Sequence, residues 1–433
     1  MRILVLGGYG LIGSCVVRHL IDAGHEPVGL GRDIARAQRQ FPNIHWIAAD
    51  LAKLTSAAAW QNLLNEARAG AIVNCAGALQ DGSRDNVAAV QSAAMRALYA
   101  TAPSCGVSQV IQISAPGASL HARTTFMRSK AEADLALQAT PIDWTVLRPG
   151  LVLSPQAYGG TALLRSLAAF PLIQPLAFAD SLIQTVAVDD IGKAVVQVID
   201  GTVPPAQVYD LVEDKAHTLR DIVAKLRAWQ GLPRVRELEL PSSLVRVAGR
   251  MADALSWLGW RSPLRTTALT ELAAGVTGDP ASWRSATGAS LTPLDATLRR
   301  LPATVQEQWF ARTFIVKPIA ILTLAVFWML SGTLALTDPE SAARVLTSRG
   351  VDGSWANALV FGGAIIDIGL GLGVLARSTM AAAANGMILV SLAYLVGATM
   401  LAPGLWHDPL GPLVKVVPGM VLALFLLAVT KDR

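Results

Sequence analysis

The chain has 433 residues, enough for about three domains of ordinary size. Hydrophobic residues make up 52% of it, charged residues only 15%, and the mean hydropathy is +0.44, which is too apolar for an ordinary soluble enzyme. The formal net charge of +5 is modest for this length, and the absence of an arginine-rich run argues against a nucleic-acid partner.

Cysteine and histidine usage favours a reducing compartment and predicts no metal site. The three cysteines, Cys15, Cys75 and Cys105, lie far apart and form no CxxC pair, which favours free thiols over a disulfide framework. The six histidines are scattered, and none pairs at the spacing of metal ligands. No signal peptide is expected, because the apolar run at residues 3–7 is short and leads straight into a glycine loop.

The start of the chain predicts a nucleotide-binding unit. The run "ILVLG" is typical of a buried parallel strand, "GGYGLIG" of a tight loop, and "SCVVRHLIDAG" of a helix that ends at a glycine. Glycines at three positions would let the backbone turn and approach a pyrophosphate, which would bind the free N–H groups at the helix start. The predicted contacts are Gly7, Gly10, Leu11, Ile12 and Gly13.

The end of the second apolar run, "PVGLGR", bears on which dinucleotide binds. An acidic residue there suits the ribose 2′-hydroxyl of NAD, whereas an arginine suits the 2′-phosphate of NADP. Arg32 occupies this position and Asp33 follows it. We therefore expect NADP(H), with NAD(H) as the alternative.

Further apolar runs, each preceded by a helical stretch, predict an α/β fold with a doubly wound parallel sheet. These runs are "IHWIAAD", "AIVNCAG", "VIQISAPG" and "DWTVLRPG". Ligands of such sheets bind at the carboxyl ends of the strands. The residues expected on this rim are Asp50, Leu51, Asn74, Ala76, Gly77 and Ser114.

These motifs, with "TTFMRSKAEAD" and "VAVDDIGKAV", resemble the extended and atypical short-chain dehydrogenase/reductase superfamily over about the first 215 residues. The branch related to the dehydrogenase-like accessory subunit of respiratory complex I is the most similar in character. The resemblance implies a Rossmann domain with a small substrate lobe, to which we assign residues 1–230.

The resemblance also implies catalytic positions. The family uses a serine and a Tyr-x-x-x-Lys pair, in which the lysine holds the ribose and the tyrosine transfers a proton. Ser114 and Lys130 match the serine and the lysine, but Phe126 occupies the tyrosine position. We expect Lys130 to bind the cofactor, and Ser114, Thr125 or a water to replace the missing acid.

Residues 231–311 are interpreted as a helical linker or as a collar resting on a membrane surface. Tryptophans fall in or near stretches that contain arginine, although burial in a core would explain them equally. They are Trp257, Trp260, Trp283 and Trp309. In the preceding lobe, Tyr158 and Arg165 are the polar candidates for substrate contact, and surface positions are favoured for both.

Four apolar stretches, at about 314–336, 357–376, 380–402 and 413–430, approach the ~20 residues that a membrane-spanning helix needs. They predict a four-span bundle over residues 312–433. Cationic residues at one set of helix ends outnumber Arg344 and Arg349 at the other, which predicts an inner-membrane protein with both termini and the Rossmann domain in the cytoplasm. The larger set is Arg312, Lys317, Arg377, Lys431 and Arg433.

The stretches "KPIAILTLAVFWMLSG", "GGAIIDIGLGLGVL" and "WHDPLGPLVKVVPG" resemble the DoxX-like four-helix membrane family, some of whose relatives are tied to quinone or thiol redox chemistry. Asp367 falls in the middle of a span, where a charge costs about 3 kcal/mol on insertion scales. We expect it to face the bundle interior. Its candidate partners are Lys415, His407 and Asp408.

Two functions remain open at this stage. The first is a membrane-anchored NADP(H)-dependent oxidoreductase that acts on a hydrophobic or quinone-like substrate, with a possible respiratory-chain partner. The second is a catalytically silent nucleotide-binding module that stabilises or senses redox state for a membrane partner. Phe126 favours the second, and the apolar bundle supplies a source of substrate for the first.

Overall fold

A computed structural model describes residues 1–82, 86–260, 262–409 and 411–430. Contacts divide the chain into two compact units. The first comprises Met1–Asp253 and Ser262–Ala311, and the second comprises Ala254–Arg261 and Arg312–Arg433.

Strands and helices alternate through the first part of unit 1, as the hydrophobic pattern predicts. In chain order they are β1 (Arg2–Leu6), α1 (Leu11–Asp22), β2 (Glu26–Gly31), α2 (Ile34–Gln40), β3 (His45–Ala48), α3 (Ala57–Ala67), β4 (Ala71–Asn74), α4 (Ala94–Thr101), β5 (Gln109–Ile113), α5 (Thr125–Gln138) and β6 (Asp143–Pro149).

The rest of unit 1 mixes short strands with helices. These elements are β7 (Leu151–Leu153), α6 (Gly159–Ala168), β8 (Ile173–Leu176), β9 (Leu182–Ile183), β10 (Thr185–Ala187), α7 (Val188–Ile199), β11 (Gln207–Leu211), β12 (His217–Thr218), α8 (Leu219–Trp229), β13 (Arg236–Glu239), α9 (Ser242–Ser256), α10 (Thr266–Ala274), α11 (Ala281–Thr287) and α12 (Leu294–Arg300).

The main sheet has seven strands in the order β11-β6-β5-β4-β1-β2-β3, and every pairing in it is parallel. The predicted doubly wound Rossmann sheet is confirmed. The strand order reverses between β1 and β4, and in such sheets the ligand crevice opens at this switch point. The predicted rim residues lie at or just after the carboxyl ends of β3, β4 and β5.

Alternation along β1 builds a core on each face of the sheet, because successive side chains of a strand point to opposite faces. Leu4 and Leu6 join a buried cluster with Trp60. Ile3 and Val5 join the cluster on the other face. Both faces are therefore covered, as a parallel sheet requires.

Trp283 belongs to this second cluster and is 4% exposed, with its ring edge-on to that of Tyr209 at 5.5 Å between centroids. A membrane-surface role for Trp283 is therefore wrong. Trp257 and Trp309, in contrast, are 73% and 65% exposed. The sequence around each tryptophan does not distinguish the buried one from the exposed ones, because Trp283 is buried by Tyr209 of β11, which is distant in the chain.

Arg165 on α6 is 1% exposed, so the surface position favoured for it is also wrong. Its Nη2 donates to the carbonyl of Ser154 at 2.6 Å, and its guanidinium lies 4.9 Å from the ring centroid of Trp229. Its Nη1 lies 3.3 Å from Oε2 of Glu307. Arg165 thus holds the first turn of the helix that begins at Val305 against the lobe.

That helix, α13 (Val305–Thr337), begins in unit 1 and continues into unit 2. Unit 2 also contains α14 (Pro339–Thr347), α15 (Gly353–Leu375), α16 (Met380–Leu401) and α17 (Val416–Val429). Within the described ranges, α13, α15 and α16 are long and apolar enough to cross a membrane. The fourth predicted span differs: α17 has 14 residues and reaches about 21 Å, short of the ~30 Å hydrocarbon core.

The glycine loop fixes where α1 lies against β1. A Cβ on Gly13 would lie 2.2 Å from the carbonyl oxygen of Gly7 and 2.9 Å from Cα of Gly8. Gly7 itself has a φ of 69°, in the left-handed region that favours glycine. The close approach of helix and loop therefore requires glycine at both positions.

Gly13→Ala is expected to destabilise unit 1 by about 1–3 kcal/mol, because backbone atoms must move to admit the methyl group. Gly160→Ala is the matched control, since no atom lies within 4 Å of a Cβ built there. The thermal unfolding midpoint of the detergent-solubilised protein measures both. Equal midpoints for Gly13→Ala and wild type would contradict this account of the loop.

Candidate functional site

The first turn of α1 presents its backbone N–H groups at the carboxyl end of β1. Gly10 is its N-cap and offers no side-chain acceptor to the N–H groups of the first turn, those of Leu11, Ile12 and Gly13. Free N–H groups and the helix dipole together favour an anion at this point. The structure therefore places the predicted pyrophosphate residues of "GGYGLIG" around one helix end.

Tyr9, a residue that the sequence analysis did not assign to the site, organises the end of β2. Its ring occupies the space above Gly31, where a Cβ would lie 2.1 Å from the ring. Its hydroxyl accepts hydrogen bonds from the backbone N–H groups of Arg32 and Asp33 at 3.1 and 3.2 Å. The only signal in the sequence is the aromatic residue inside a glycine loop, and its partner strand could not be deduced from it.

Asp33 and Arg36 complete this end of the site. The Asp33 carboxylate accepts a hydrogen bond from the backbone N–H of Arg36 at 3.0 Å and so caps α2. The Arg36 guanidinium lies 5.5 Å from the centroid of the Tyr9 ring. Arg32, next to them, is exposed. One guanidinium, that of Arg36, therefore lies over Tyr9, the exposed Arg32 is bonded to Tyr9 through its backbone N–H, and the Asp33 carboxylate is engaged in a helix cap.

Several of the predicted rim residues have structural roles for their side chains. Asp50 accepts from the backbone N–H of Ala52 at 3.2 Å, and Leu51 packs into the core. Asn74 is 2% exposed and donates to Oε1 of Gln112 at 2.7 Å. The Asn74 amide is therefore tied inside the protein, and its Oδ1 accepts from the backbone N–H of Ala76 at 3.0 Å.

Ala76, Gly77 and Lys130 come together with the glycine loop. A Cβ on Gly7 would lie 3.1 Å from Cα of Ala76, and one on Gly77 would lie 3.5 Å from Nζ of Lys130. These distances bring the carboxyl ends of β1 and β4 next to the middle of α5. The predicted cofactor residues from three parts of the sequence thus lie in one region.

Lys130 is held in place by burial and one strong hydrogen bond. It is 6% exposed, and its Nζ donates to the carbonyl of Ile113, the last residue of β5, at 2.8 Å. Burial lowers the pKa of Lys130 to about 8, opposed by the charge of Asp134. Phe126, one turn earlier on α5, is half-buried and offers no proton.

The predicted catalytic hydroxyls differ in their surroundings. Ser114 is 5% exposed and its Oγ donates to Oδ2 of Asp134 at 2.7 Å. Thr125 is exposed, and its Oγ1 accepts from Arg128 at 3.1 Å. Ser114 therefore lies near Lys130 within a buried network, whereas the Thr125 hydroxyl is engaged at the surface of α5.

Asp134 links this network to the sheet. It is 1% exposed, and its Oδ2 also accepts from Nη2 of Arg148 at 3.1 Å. Burial raises the pKa of Asp134, while the hydrogen bond from Ser114 and the charge of Arg148 oppose the shift. Asp134 was missed in the sequence, although it follows Lys130 by one helical turn in "SKAEAD".

The structure brings three side chains of metal-binding type together, which the scattered sequence positions did not predict. The ligand atoms of Cys15, His19 and Asp189 lie within 4.8 Å of one another. The Cys15 thiol donates to the carbonyl of Val188 at 3.4 Å, and burial raises its pKa to about 12. Nε2 of His19 lies 3.1 Å from the carbonyl oxygen of Asp189, so hydrogen bonds also join the cluster.

In unit 2, the predicted partners of Asp367 are wrong. The carboxylate Oδ2 accepts a hydrogen bond from Oγ of Ser331 on α13 at 2.8 Å, and not from Lys415, His407 or Asp408. Small residues allow this contact, because a Cβ on Gly332 would lie 2.5 Å from the carbonyl oxygen of Ala364 on α15. A hydroxyl on the neighbouring helix thus satisfies the polar group.

Comparison with protein families identifies a matching family for each of the two parts of the chain. Residues 7–200 match a family described as NAD(P)H-binding, and residues 325–424 match the DoxX-like family. A search of curated proteins finds no match to this chain.

Solved structures share the fold of unit 1 at low identity. One is the enzyme WbmG of Bordetella bronchiseptica in complex with NAD and UDP, at a TM-score of 0.52 and 16% identity over 71% of this chain and 93% of that one. Another is the UDP-glucose 4-epimerase of Thermus thermophilus in complex with NAD, at a TM-score of 0.53 and 18% identity over 71% and 99% of the two chains.

A third is the NADPH-dependent quinone oxidoreductase QOR2 of Escherichia coli complexed with NADPH, at a TM-score of 0.52 and 21% identity over 69% of this chain and 98% of that one. At such identities the likeness shows the fold alone. With the two family matches, it establishes that the chain joins an NAD(P)-binding domain with the fold of the short-chain dehydrogenases and reductases to a DoxX-like domain.

Proposed function

We propose that this chain is a membrane-anchored NADP(H)-dependent oxidoreductase that reduces a hydrophobic, quinone-like substrate. The observation that carries the proposal is the contrast at α5. Lys130 is buried and anchored on the end of β5 beside the glycine loop, whereas Phe126 replaces the acid one turn away. The cofactor-holding group is retained, and the proton donor is absent.

Quinone chemistry suits a site of this kind. Hydride transfer to an ordinary carbonyl produces an alkoxide, a strong base that needs a positioned acid in the transition state. Hydride transfer to a quinone produces an anion of phenol type, whose conjugate acid has a pKa of about 10. Such an anion leaves without a proton from the enzyme and takes one from water. Phe126 is then compatible with turnover, and its phenyl ring offers an apolar contact to a flat substrate.

The comparisons support this choice of substrate class. One structural neighbour of unit 1 is a quinone oxidoreductase that binds NADPH, and unit 2 matches a family of membrane type. Quinones with long tails dissolve in the bilayer, so an apolar bundle fused to the nucleotide domain would keep the substrate nearby. A respiratory-chain partner would be the consumer of such a quinol.

The silent nucleotide-binding module is the second candidate. Its supporting observation is Ser114, which is buried and bonded to Asp134 and so is directed into the protein. In this interpretation Lys130 and the glycine loop bind the dinucleotide for structural or sensing purposes only.

Phe126→Tyr and Lys130→Met separate the candidates when NADPH oxidation is measured in membranes with a short-chain quinone. We expect the wild-type protein to oxidise NADPH and Phe126→Tyr to be no faster. Lys130→Met should bind NADPH more weakly. Lys193→Met, at an exposed lysine of α7, is the control and should bind NADPH as the wild type does. Because the pKa of Lys130 is about 8, the wild-type affinity should fall as the pH rises from about 7 to 9, and Lys130→Met should lose this dependence.

If neither the wild type nor Phe126→Tyr oxidised NADPH, although the wild type bound it, the result would favour the silent module. A gain of about 10²–10⁴-fold in Phe126→Tyr would show that turnover is limited by the missing acid and would exclude the quinone argument.

We further propose that the cofactor is NADP(H), bound at its 2′-phosphate by Arg32 and Arg36. The supporting observations are the Arg36 guanidinium over Tyr9, the exposed Arg32 at the end of β2, and Asp33 occupied as the cap of α2. Arg36→Gln should weaken NADPH binding about tenfold or more, as expected for a charge-assisted phosphate contact, and leave NADH binding unchanged. Arg39→Gln, in the last turn of the same helix, is the control. Calorimetry with both nucleotides decides, and equal losses for NADPH and NADH would contradict the assignment.

The proposed orientation places unit 1 and both termini in the cytoplasm. In unit 2, Lys317 donates to the carbonyl of Val429 at 3.1 Å, so the carboxyl end of α17 lies beside the start of the apolar part of α13. Lys431 and Arg433, which also support the orientation, lie outside the described residues. A reporter active only outside the cytoplasm should be silent after Arg433 and active when inserted at Asp352. The opposite pattern would show that the orientation is the reverse of the one proposed. A second reporter, active only in the cytoplasm, should then give the complementary result at both positions.

A further inference from the structure

Helix α9 has two faces of different surroundings. Val245, Ala252 and Ser256 are buried, and Gly249 between them packs on α10, with its Cα facing Leu269 closely enough that a Cβ would lie 2.9 Å from Cδ1. Thr266 of α10 donates to Asp253 of α9 at 2.6 Å. One face of α9 is thus fixed against its own unit.

A second face of α9 is apolar and exposed. At 3.6 residues per turn, its large side chains fall within a stripe of about 80°, whose centre lies about 130° around the helix from the centre of the buried face. They are Leu244 at 55% exposure, Val247 at 54%, Met251 at 62% and Leu255 at 41%. Scattered exposed apolar residues are ordinary, but a continuous row along a helix indicates a contact surface.

Charge and position indicate which partner covers this row. Arg246 and Arg250 are exposed on the flank of the helix, between the apolar row and the buried face. An apolar stripe with arginines beside it is the pattern of helices that lie in a membrane interface. The phosphates of lipid headgroups match this cationic edge, and the acyl chains match the apolar row.

The last residues of α9 and the chain that follows it belong to unit 2, which includes Ala254–Arg261. Nε1 of Trp260 donates to the carbonyl of Leu375, the last residue of α15, at 2.6 Å, and Nζ of Lys317 lies 5.7 Å from the Trp260 ring centroid. Tryptophan and lysine at the end of an apolar helix mark the level of the lipid headgroups. The apolar row therefore leads into residues at that level.

We propose that α9 lies in the cytoplasmic interface of the bilayer, with Leu244, Val247, Met251 and Leu255 among the acyl chains and Arg246 and Arg250 at the headgroup phosphates. The proposal rests on the membrane location proposed above and is independent of catalysis. It assigns the collar to one helix of residues 231–311 and excludes the buried Trp283 from it.

Spin labels on single cysteines test the contact in full-length protein in phospholipid nanodiscs. Met251→Cys reports on the apolar row, Leu389→Cys on a lipid-facing position of α16, and Leu172→Cys on a position in unit 1 that is 82% exposed. The labelled wild-type chain gives the background from Cys15, Cys75 and Cys105, and NADPH binding shows that each variant is folded. Collision rates with oxygen and with a water-soluble nickel chelate are compared.

The Met251 label is expected to collide several-fold less with the nickel chelate than the Leu172 label, and more with oxygen. Collisions with nickel equal to those at Leu172 would overturn the proposal. Low collision rates with both reagents would also overturn it, because they would show a protein partner on the row. A Leu389 label open to nickel would refute the membrane location itself, a separate result.

Discussion

The contact between Gly13 and the Gly7 carbonyl determines how the nucleotide unit is arranged. Because no side chain separates α1 from the loop, the first turn of α1 reaches the carboxyl end of β1 with its N–H groups forward. The rest of α1 then packs Val16, Val17 and Leu20 into the core that Ile191 of α7 shares. Gly7 in turn approaches Ala76, which places β4 beside the loop. The site is thus built by backbone proximity before any side chain contributes chemistry.

The arrangement of the charged groups around α5 reflects a second constraint, the free-energy cost of burying ions. Lys130, Asp134 and Arg148 are assembled so that each cation has the same carboxylate nearby, and Ser114 adds a hydroxyl donor to it. Without Asp134, Lys130 would be neutral over more of the physiological range, because burial lowers its pKa and Asp134 opposes that shift. The charge state of Lys130 therefore depends on Asp134, a residue one turn farther along α5.

Features carried by local patterns could be predicted from the sequence. The glycine loop, the alternation of strands and helices and the long apolar helices each depend on neighbouring residues, and the structure confirms the Rossmann sheet. What could not be predicted depends on contacts between distant residues. These contacts join residues that no periodicity connects: the Tyr9 hydroxyl with the backbone that follows β2, Glu307 with Arg165, Tyr209 with Trp283, and Ser331 with Asp367. The length of α17 was misjudged for another reason, since hydropathy does not show that a helix begins only at Val416, after Gly411 and Pro412.

The helix that begins at Val305 has a consequence for how such a two-part chain can change. Its first turns are held by Arg165 through Glu307, and by Gln308, whose Nε2 donates to the carbonyl of Gln230 at 2.6 Å. The boundary between the units, at Ala311 and Arg312, therefore falls inside a helix and not in a loop. A single inserted residue there would turn everything beyond it by about 100° and shift it by about 1.5 Å. The junction thus has a helical phase, which an insertion of about seven residues, or two turns, restores to within about 20°.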